Sequence, residues 1–239
     1  IDRDYYIQIL NKCFNAIFPE VKGDEITFIG STFINYGEDK PYLNHCLALG
    51  TCDKVENSEI QCCETEKDVM LEWTKLINKE DPDIIIGYNI FGFDYDFMYR
   101  RAIENNIVSK FLLLSRNKKE LCLSKKFDFN SKKTIQGLEQ TSIVIASGQH
   151  DLKFIKMNGR LQVDLYNYFR RDYNLNSYKL DHVASHFIGD DVYDIKLIKI
   201  KNTNKLLTKI FTKNMMGLNV GSYVHFEESS HSVDYYKDG

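Results

Sequence analysis

Hydrophobic and polar positions change period several times along the chain, and the changes divide it into elements. From Ile1 to Pro19, Tyr6, Ile7, Leu10, Cys13, Phe14 and Ile17 recur at helical spacing, which predicts one helix closing near Phe18-Pro19. Val21-Lys22-Gly23-Asp24 is a turn, and residues 25–35 form a β-rich run with imperfect alternation. Tyr36-Gly37-Glu38-Asp39 turns the chain again, so a second strand over 42–49 is expected to pair antiparallel with the first. A third short strand is predicted within 56–63. Residues 65–78 then return to helical spacing, with Val69, Leu71, Trp73, Leu76 and Ile77 on the apolar side. Thr65 stands at the N-cap position, and Asp68 makes a weaker capping box than Glu or Gln would.

The next change is the sharpest. After Asp81-Pro82-Asp83 comes a wholly apolar β-branched run, Ile84-Ile85-Ile86, which reads as a buried strand. Residues 87–92 form a turn with glycine at both ends, and a helix is predicted from Phe93 to about Ile107. A strand that ends in a polar turn and enters a helix brings Asn89 and Asp94 to a sheet edge, where open α/β sheets hold ligands. The period is mixed from 111 to 147, too long for a simple connection, which predicts a peripheral hairpin or functional loop. Within it Lys125-Lys126 and Lys132-Lys133 bracket Phe127, Asp128, Phe129 and Asn130. Such interleaving can follow a phosphate backbone, although a solvated charged face is the plainer reading. Residues 159–169 predict a strand passing into a helix, and 177–188 an amphipathic helix stopped by Gly189-Asp190-Asp191. A basic stretch (194–207) is expected to pack outside the sheet, 206–214 reads as helix-like, and 217–227 is β-prone around Val220, Tyr223 and Phe226.

Alternating helices and short strands define an α/β protein with the early strands on the same sheet. Its 239 residues are enough for a substantial core. With 31 Lys and Arg against 34 Asp and Glu, the formal charge is −3, unlike that of a free-standing nucleic-acid binder. The six cysteines lack paired CxxC spacing and read as reduced thiols of an intracellular protein. His182 and His186 lie four apart but have no third ligand nearby in sequence, so they read as surface or packed residues. No apolar run has membrane-spanning length, and no membrane partner is expected. The chain starts at Ile and stops at Gly in mid-pattern, as an internal piece of a longer polypeptide would.

The stretch GYNIFGFDYDFMYRR (87–101) closely resembles the second exonuclease motif of family B DNA polymerases, whose core is Tyr-Asn, three residues, Phe-Asp. Glu80-Asp81-Pro82-Asp83 and SYKLDHVASHFIG (177–189) are similar to further blocks of that family in the same order. Ile-Phe-Gly between Asn89 and Phe93 is most like the polymerases of large nucleocytoplasmic DNA viruses. The resemblance implies a ribonuclease H-like exonuclease fold, a mixed β-sheet flanked by helices, over residues 1–214 and lacking its N-terminal strand. It implies the start of a β-rich insertion over 215–239.

Polymerase proofreading exonucleases hydrolyse a phosphodiester with two metal ions held by several carboxylates. By the resemblance, Asp94 is the catalytic carboxylate and metal ligand of the second motif. Asn89, Phe93 and Arg101 are placed toward DNA, while Tyr88, Asp164 and Tyr178 match structural positions. Each has a plainer reading: Asp94 as an acid favoured by a helix N-terminus, Asn89 as a turn residue, Arg101 as the partner of an acid or an ordinary helical surface residue. The first motif is expected upstream of Ile1 and the third beyond Gly239, so this stretch alone is expected to be inactive. The implied parent is a DNA-directed DNA polymerase with Mg²⁺ or Mn²⁺ as cofactor. Its implied partners are primer-template DNA, a single-stranded 3′ end, dNTPs and a processivity factor. The alternative is a non-catalytic ribonuclease H-like region retained for DNA binding or as scaffold.

Overall fold

The computed structural model describes residues 3–17, 22–128, 133–145, 148–199, 206–215, 218, 220–224 and 226. They fall into two compact units, residues 1–173 and 174–239. The first opens with helix α1 (Arg3–Ile17), as its periodicity predicts; Tyr5, Leu10 and Phe14 on it are exposed. Strands β1 (Phe28–Phe33) and β2 (Leu43–Leu49) pair antiparallel, and β3 (Glu59–Cys63) adds to β2 in parallel. Helix α2 (Glu66–Glu80) packs on this ladder through Val69, Met70, Trp73, Leu76 and Ile77; Met70, at i+1 from Val69, is fully buried in the place expected of Leu71, and Leu71 is only half-buried. Thr65 is extended and its Oγ1 accepts from the Asp68 N–H at 3.2 Å, which caps the helix as expected.

The core continues into Ile107, Phe111, Leu112, Leu114 and Ile155, all fully buried. Each large side chain of this kind contributes about 1.5–3 kcal/mol by leaving water. The Thr74 hydroxyl donates to the Phe111 carbonyl at 3.0 Å, and Asn78 Nδ2 to that of Leu113 at 2.8 Å, so α2 also closes the backbone groups of the neighbouring bend.

A second ladder sets the functional edge. Strand β4 (Ile84–Gly87) pairs in parallel with β9 (Leu161–Asp164), in register from Ile84↔Leu161 to Gly87↔Asp164. Two expectations are corrected here. The early strands do not share one hydrogen-bonded sheet with β4, and the Ile triplet is not buried: Ile84 is 47 % and Ile86 61 % exposed. An apolar β-branched run specifies a strand, but burial requires a packed face, and β9 is the one strand paired to β4 among the described residues. Between them lie helix α3 (Tyr95–Glu104), the short helix α4 (Val108–Phe111) and two antiparallel hairpins. These are β5 (Ser124–Asp128) with β6 (Lys133–Gly137), and β7 (Glu139–Ile145) with β8 (Gly148–Phe154). The long mixed-period stretch is thus hairpin; the side chains of its Lys126–Lys133 run lie outside the described residues. Helix α5 (Leu165–Asp172) follows β9 without a loop.

The second unit holds α6 (Leu180–Ile188) and the antiparallel pair β10 (Val192–Lys199) and β11 (Leu206–Thr212). Here the helix read over 206–214 is a strand. Thr208, Ile210 and Thr212 are β-branched, and pairing such as Ile195↔Ile210 outweighs the weak helical spacing. The strands expected over 217–227 fall partly outside the described residues; Val220, Ser222, Tyr223, Val224 and Phe226, which are described, form no strand.

Candidate functional site

Parallel pairing makes β4 and β9 end side by side, and each then feeds a helix. Gly87 opposite Asp164 is the last pair of the ladder. A Cβ on Gly87 would fall 2.3 Å from Ile90 Cγ2, so the close approach of this turn requires glycine. Asn89 adopts the left-handed conformation (φ 60°, ψ 24°), and its carbonyl accepts from the N–H groups of Gly92 (3.0 Å) and Phe93 (2.9 Å). The chain passes through one wide π-type turn, Ile90–Asp94, before α3 begins.

Asp164 closes this turn from across the ladder. Its Oδ1 accepts from the Asn89 N–H at 2.7 Å and the Tyr166 N–H at 3.0 Å; Oδ2 accepts from the Phe91 N–H at 3.1 Å and Asn167 Nδ2 at 3.0 Å. The side chain is buried. The Tyr166 bond caps α5, the Asn167 bond joins two side chains at its start, and the other two reach a segment more than seventy residues earlier. The expectation that Asp164 is structural understates its place, because it joins the two halves of the edge. The signal for it was available: an Asp at a strand end, directly before a helix, is an N-cap.

Asp94 sits where the wide turn becomes α3, with its side chain exposed. Crowding by surrounding protein raises its proton affinity most, a hydrogen bond from its own backbone N–H opposes this, and the Asp164 charge raises it again. The net shift is upward from the ordinary 3.8. Among the described residues no Lys, Arg or His forms an ion pair with Asp94. Tyr95 lies behind it, buried; burial first, then the Asp94 and Asp164 charges, push its phenol well above the ordinary 10.0.

Aromatic rings surround the edge. Phe93 is 57 % exposed and stacks on Phe97, with ring centres 5.4 Å apart. Phe91 packs on Phe154 at 5.4 Å, and Tyr88 meets Tyr166 edge-on at 5.6 Å. Asp96, two positions past Asp94, pairs with Arg100 (2.8 Å) and Lys153 (3.2 Å).

Two of the sequence-derived residues are not gathered here. Arg101, read as facing DNA, is 6 % exposed. Its guanidinium is committed to Glu66, Glu104 and the Gly23 carbonyl, so a buried acid claims the charge that the motif left unassigned. Tyr178 belongs to the second unit, where its hydroxyl accepts from the Leu175 N–H at 3.3 Å. Sequence reading also missed Arg160, buried, which donates to the carbonyls of Leu114 and Pro82 and pairs with Asp81 at 2.7 Å. With Arg116, also bonded to Asp81, it anchors the Asp81-Pro82-Asp83 corner that aims β4 at the site.

The molecule is therefore a mixed α/β protein in which Asp94 and Asp164 lie near the carboxyl ends of two parallel strands, the end of the sheet where open α/β proteins hold ligands. More particularly, the chain belongs to DNA polymerase family B: the model of that family's exonuclease domain matches residues 6–183. It is 42% identical to a DNA polymerase of Phaeocystis pouchetii virus, over 96% of this chain and 22% of that protein. It is 39% identical to a DNA polymerase of Pyramimonas orientalis virus, over 90% of the chain and 16% of the protein. With the DNA polymerase delta catalytic subunit of Candida albicans the identity is 32%, over 76% of the chain and 16% of the relative. The chain thus spans about a fifth or less of the length of these relatives. Among the described residues no helix is long and apolar enough to cross a membrane.

Proposed function

We propose that this chain supplies part of the 3′–5′ proofreading exonuclease of a DNA-directed DNA polymerase, folded as a ribonuclease H-like domain, and that Asp94 is one carboxylate of its metal site. The observation that carries the reading is the Asp94 carboxylate itself. It is exposed at the head of α3, lacks a cationic partner among the described residues, and lies close enough to the Asp164 charge to be raised by it. Two carboxylates so placed attract a cation.

The residues fit a divalent ion only in part. Among the described residues, Asp94 accepts only from its own backbone N–H, whereas each oxygen of Asp164 already accepts two N–H donors, and no group of three acidic, His or Cys side chains gathers. The remaining ligands would come from the motifs that the family resemblance places before Ile1 and after Gly239. Mg²⁺ or Mn²⁺, when bound, supplies charge stabilisation for displacement at phosphorus. Around it the chain positions a single-stranded 3′ end: Phe93 offers an exposed ring for a base to stack on, and Asn89 presents its side chain at the turn. Primer-template DNA and dNTPs are substrates of the proposed whole polymerase, and a processivity factor is a proposed partner.

The test uses the full-length polymerase that contains this chain. Asp94→Ala should lower Mg²⁺-dependent degradation of single-stranded DNA by about 10³-fold or more while sparing polymerisation. Undiminished degradation would exclude Asp94 from the chemistry and favour a scaffold role for the domain.

A further inference from the structure

We infer that Asp164 is a positioning residue for Asp94, acting through the backbone of the turn between them; the inference rests on the reading of Asp94 as a metal-holding carboxylate. The connection can be followed bond by bond. Asp164 takes the N–H groups of Asn89 and Phe91 on different oxygens, at 2.7 and 3.1 Å, and so sets the orientation of the peptide joining Tyr88 to Asn89 and of the one joining Ile90 to Phe91. The Asn89 carbonyl then takes the N–H groups of Gly92 and Phe93 at 3.0 and 2.9 Å. The next residue is Asp94. No other side chain in this relay spans the two strands: it begins at the last pair of the β4–β9 ladder and ends one residue before the carboxylate it aims.

A capping role alone would not need this arrangement. The N-cap bond from the Tyr166 N–H and the side-chain bond from Asn167 Nδ2 use one contact on each oxygen and leave the second lone pair of each free. Those second positions are spent on the distant turn. Because all four contacts are N–H donors, Asp164 itself is satisfied and is not a further cation ligand. Its full negative charge strengthens each bond to the turn and keeps Asn89 in its left-handed conformation. The carboxylate that meets the reaction and the carboxylate that aims it are therefore separate residues on separate strand ends.

Asp164→Asn separates the two roles. Asparagine caps helices as well as aspartate does, but it has one acceptor oxygen and would turn an NH₂ group toward either the Asn89 or the Phe91 N–H. In the full-length polymerase, this variant should lower the exonuclease kcat by about 10- to 100-fold, the usual consequence of an ångström-scale misplacement. KM for single-stranded DNA should change much less than kcat, because the Phe93 ring keeps its stack on Phe97 while the peptides before it are reoriented. Hydrogen–deuterium exchange of the peptide spanning Tyr88 to Phe93 should become faster, with polymerisation unchanged and the melting temperature lowered by the loss of buried hydrogen bonds. Should the Asn variant misfold, Asp164→Ser retains the cap with one acceptor and is read by the same criteria. Unchanged exchange in that peptide, or faster exchange with wild-type kcat, would overturn the inference. Asp94→Ala is assayed alongside: if it retains degradation, the reading of Asp94 fails and the positioning role falls with it, whereas loss of degradation confines any failure to Asp164.

Discussion

Arg101 donates from Nε and Nη2 to the two oxygens of Glu66, at 2.7 and 2.5 Å, with both residues buried. Glu66 also accepts from the Ile26 N–H at 2.9 Å and Asn105 Nδ2 at 2.7 Å, and Arg101 donates to the Gly23 carbonyl at 2.8 Å. One ion pair thereby ties the approach to β1, the first turn of α2 and the body of α3. The arginine of the motif holds the scaffold behind the site. Breaking a buried pair leaves an uncompensated charge, so Glu66→Ala or Arg101→Ala should destabilise the fold by about 3–5 kcal/mol, measurable by urea denaturation. A replacement that unfolds at the wild-type urea midpoint would remove this pair from the account of stability.

The same pair predicts an acid limb. Burial alone would raise the pKa of Glu66, but the hydrogen bonds from Arg101, Ile26 and Asn105, with the Arg101 charge, outweigh it and hold it below the ordinary 4.5. A carboxylate depressed on folding contributes stability that is complete above its unfolded value and is lost as pH falls through its folded value. Thermal stability should therefore decline as pH drops below about 4.5. In Glu66→Gln that part of the slope should be missing, even though the variant starts lower.

Asp94 carries the opposite sign. Its pKa is raised on folding, so the ionised form disfavours the native state at neutral pH, and the penalty disappears as pH falls through the raised value and below the ordinary 3.8. In the presence of EDTA, Asp94→Asn should unfold at a higher temperature than wild type at pH 7 and at the same temperature near pH 3. Equal melting at both pH values would mean that neither the surrounding protein nor the Asp164 charge raises the proton affinity of Asp94.

Phe93 separates binding from folding. Its ring is more than half exposed and rests on Phe97, so Phe93→Ala should leave the melting temperature nearly unchanged. Loss of one base stack costs about 1–3 kcal/mol, which predicts a KM for single-stranded DNA raised by about 5- to 150-fold. An unaltered KM would move the substrate away from this ring.

What could be read from the chain divides by range. The Thr65 cap, the α2 stripe and the turn between Gly87 and Gly92 depend on neighbours within a few residues, and they stand as their local chemistry dictates. The single helix expected from Phe93 to Ile107 begins one step late, after the wide turn, and breaks where Asn106 turns left-handed (φ 56°), a place that Asn105-Asn106 already marks. Long-range partners were not legible. Ile84 and Ile86 look like core residues until the ladder beside them is known, Arg101 looks like a phosphate ligand until Glu66 is placed, and β11 looks helical until β10 pairs with it. Asp164 and Asp94 lie seventy positions apart in sequence, and parallel pairing alone brings them to one edge.

A divalent ion held at the head of α3 is what separates a nuclease site from a scaffold. Crystals of the full-length polymerase with a single-stranded oligonucleotide, soaked in Mn²⁺ and measured at the manganese absorption edge, test it most directly. The account predicts an anomalous peak about 2.0–2.3 Å from an Asp94 carboxylate oxygen, and none in direct contact with Asp164. Manganese bound elsewhere in the domain, with Asp94 left in water, would contradict it.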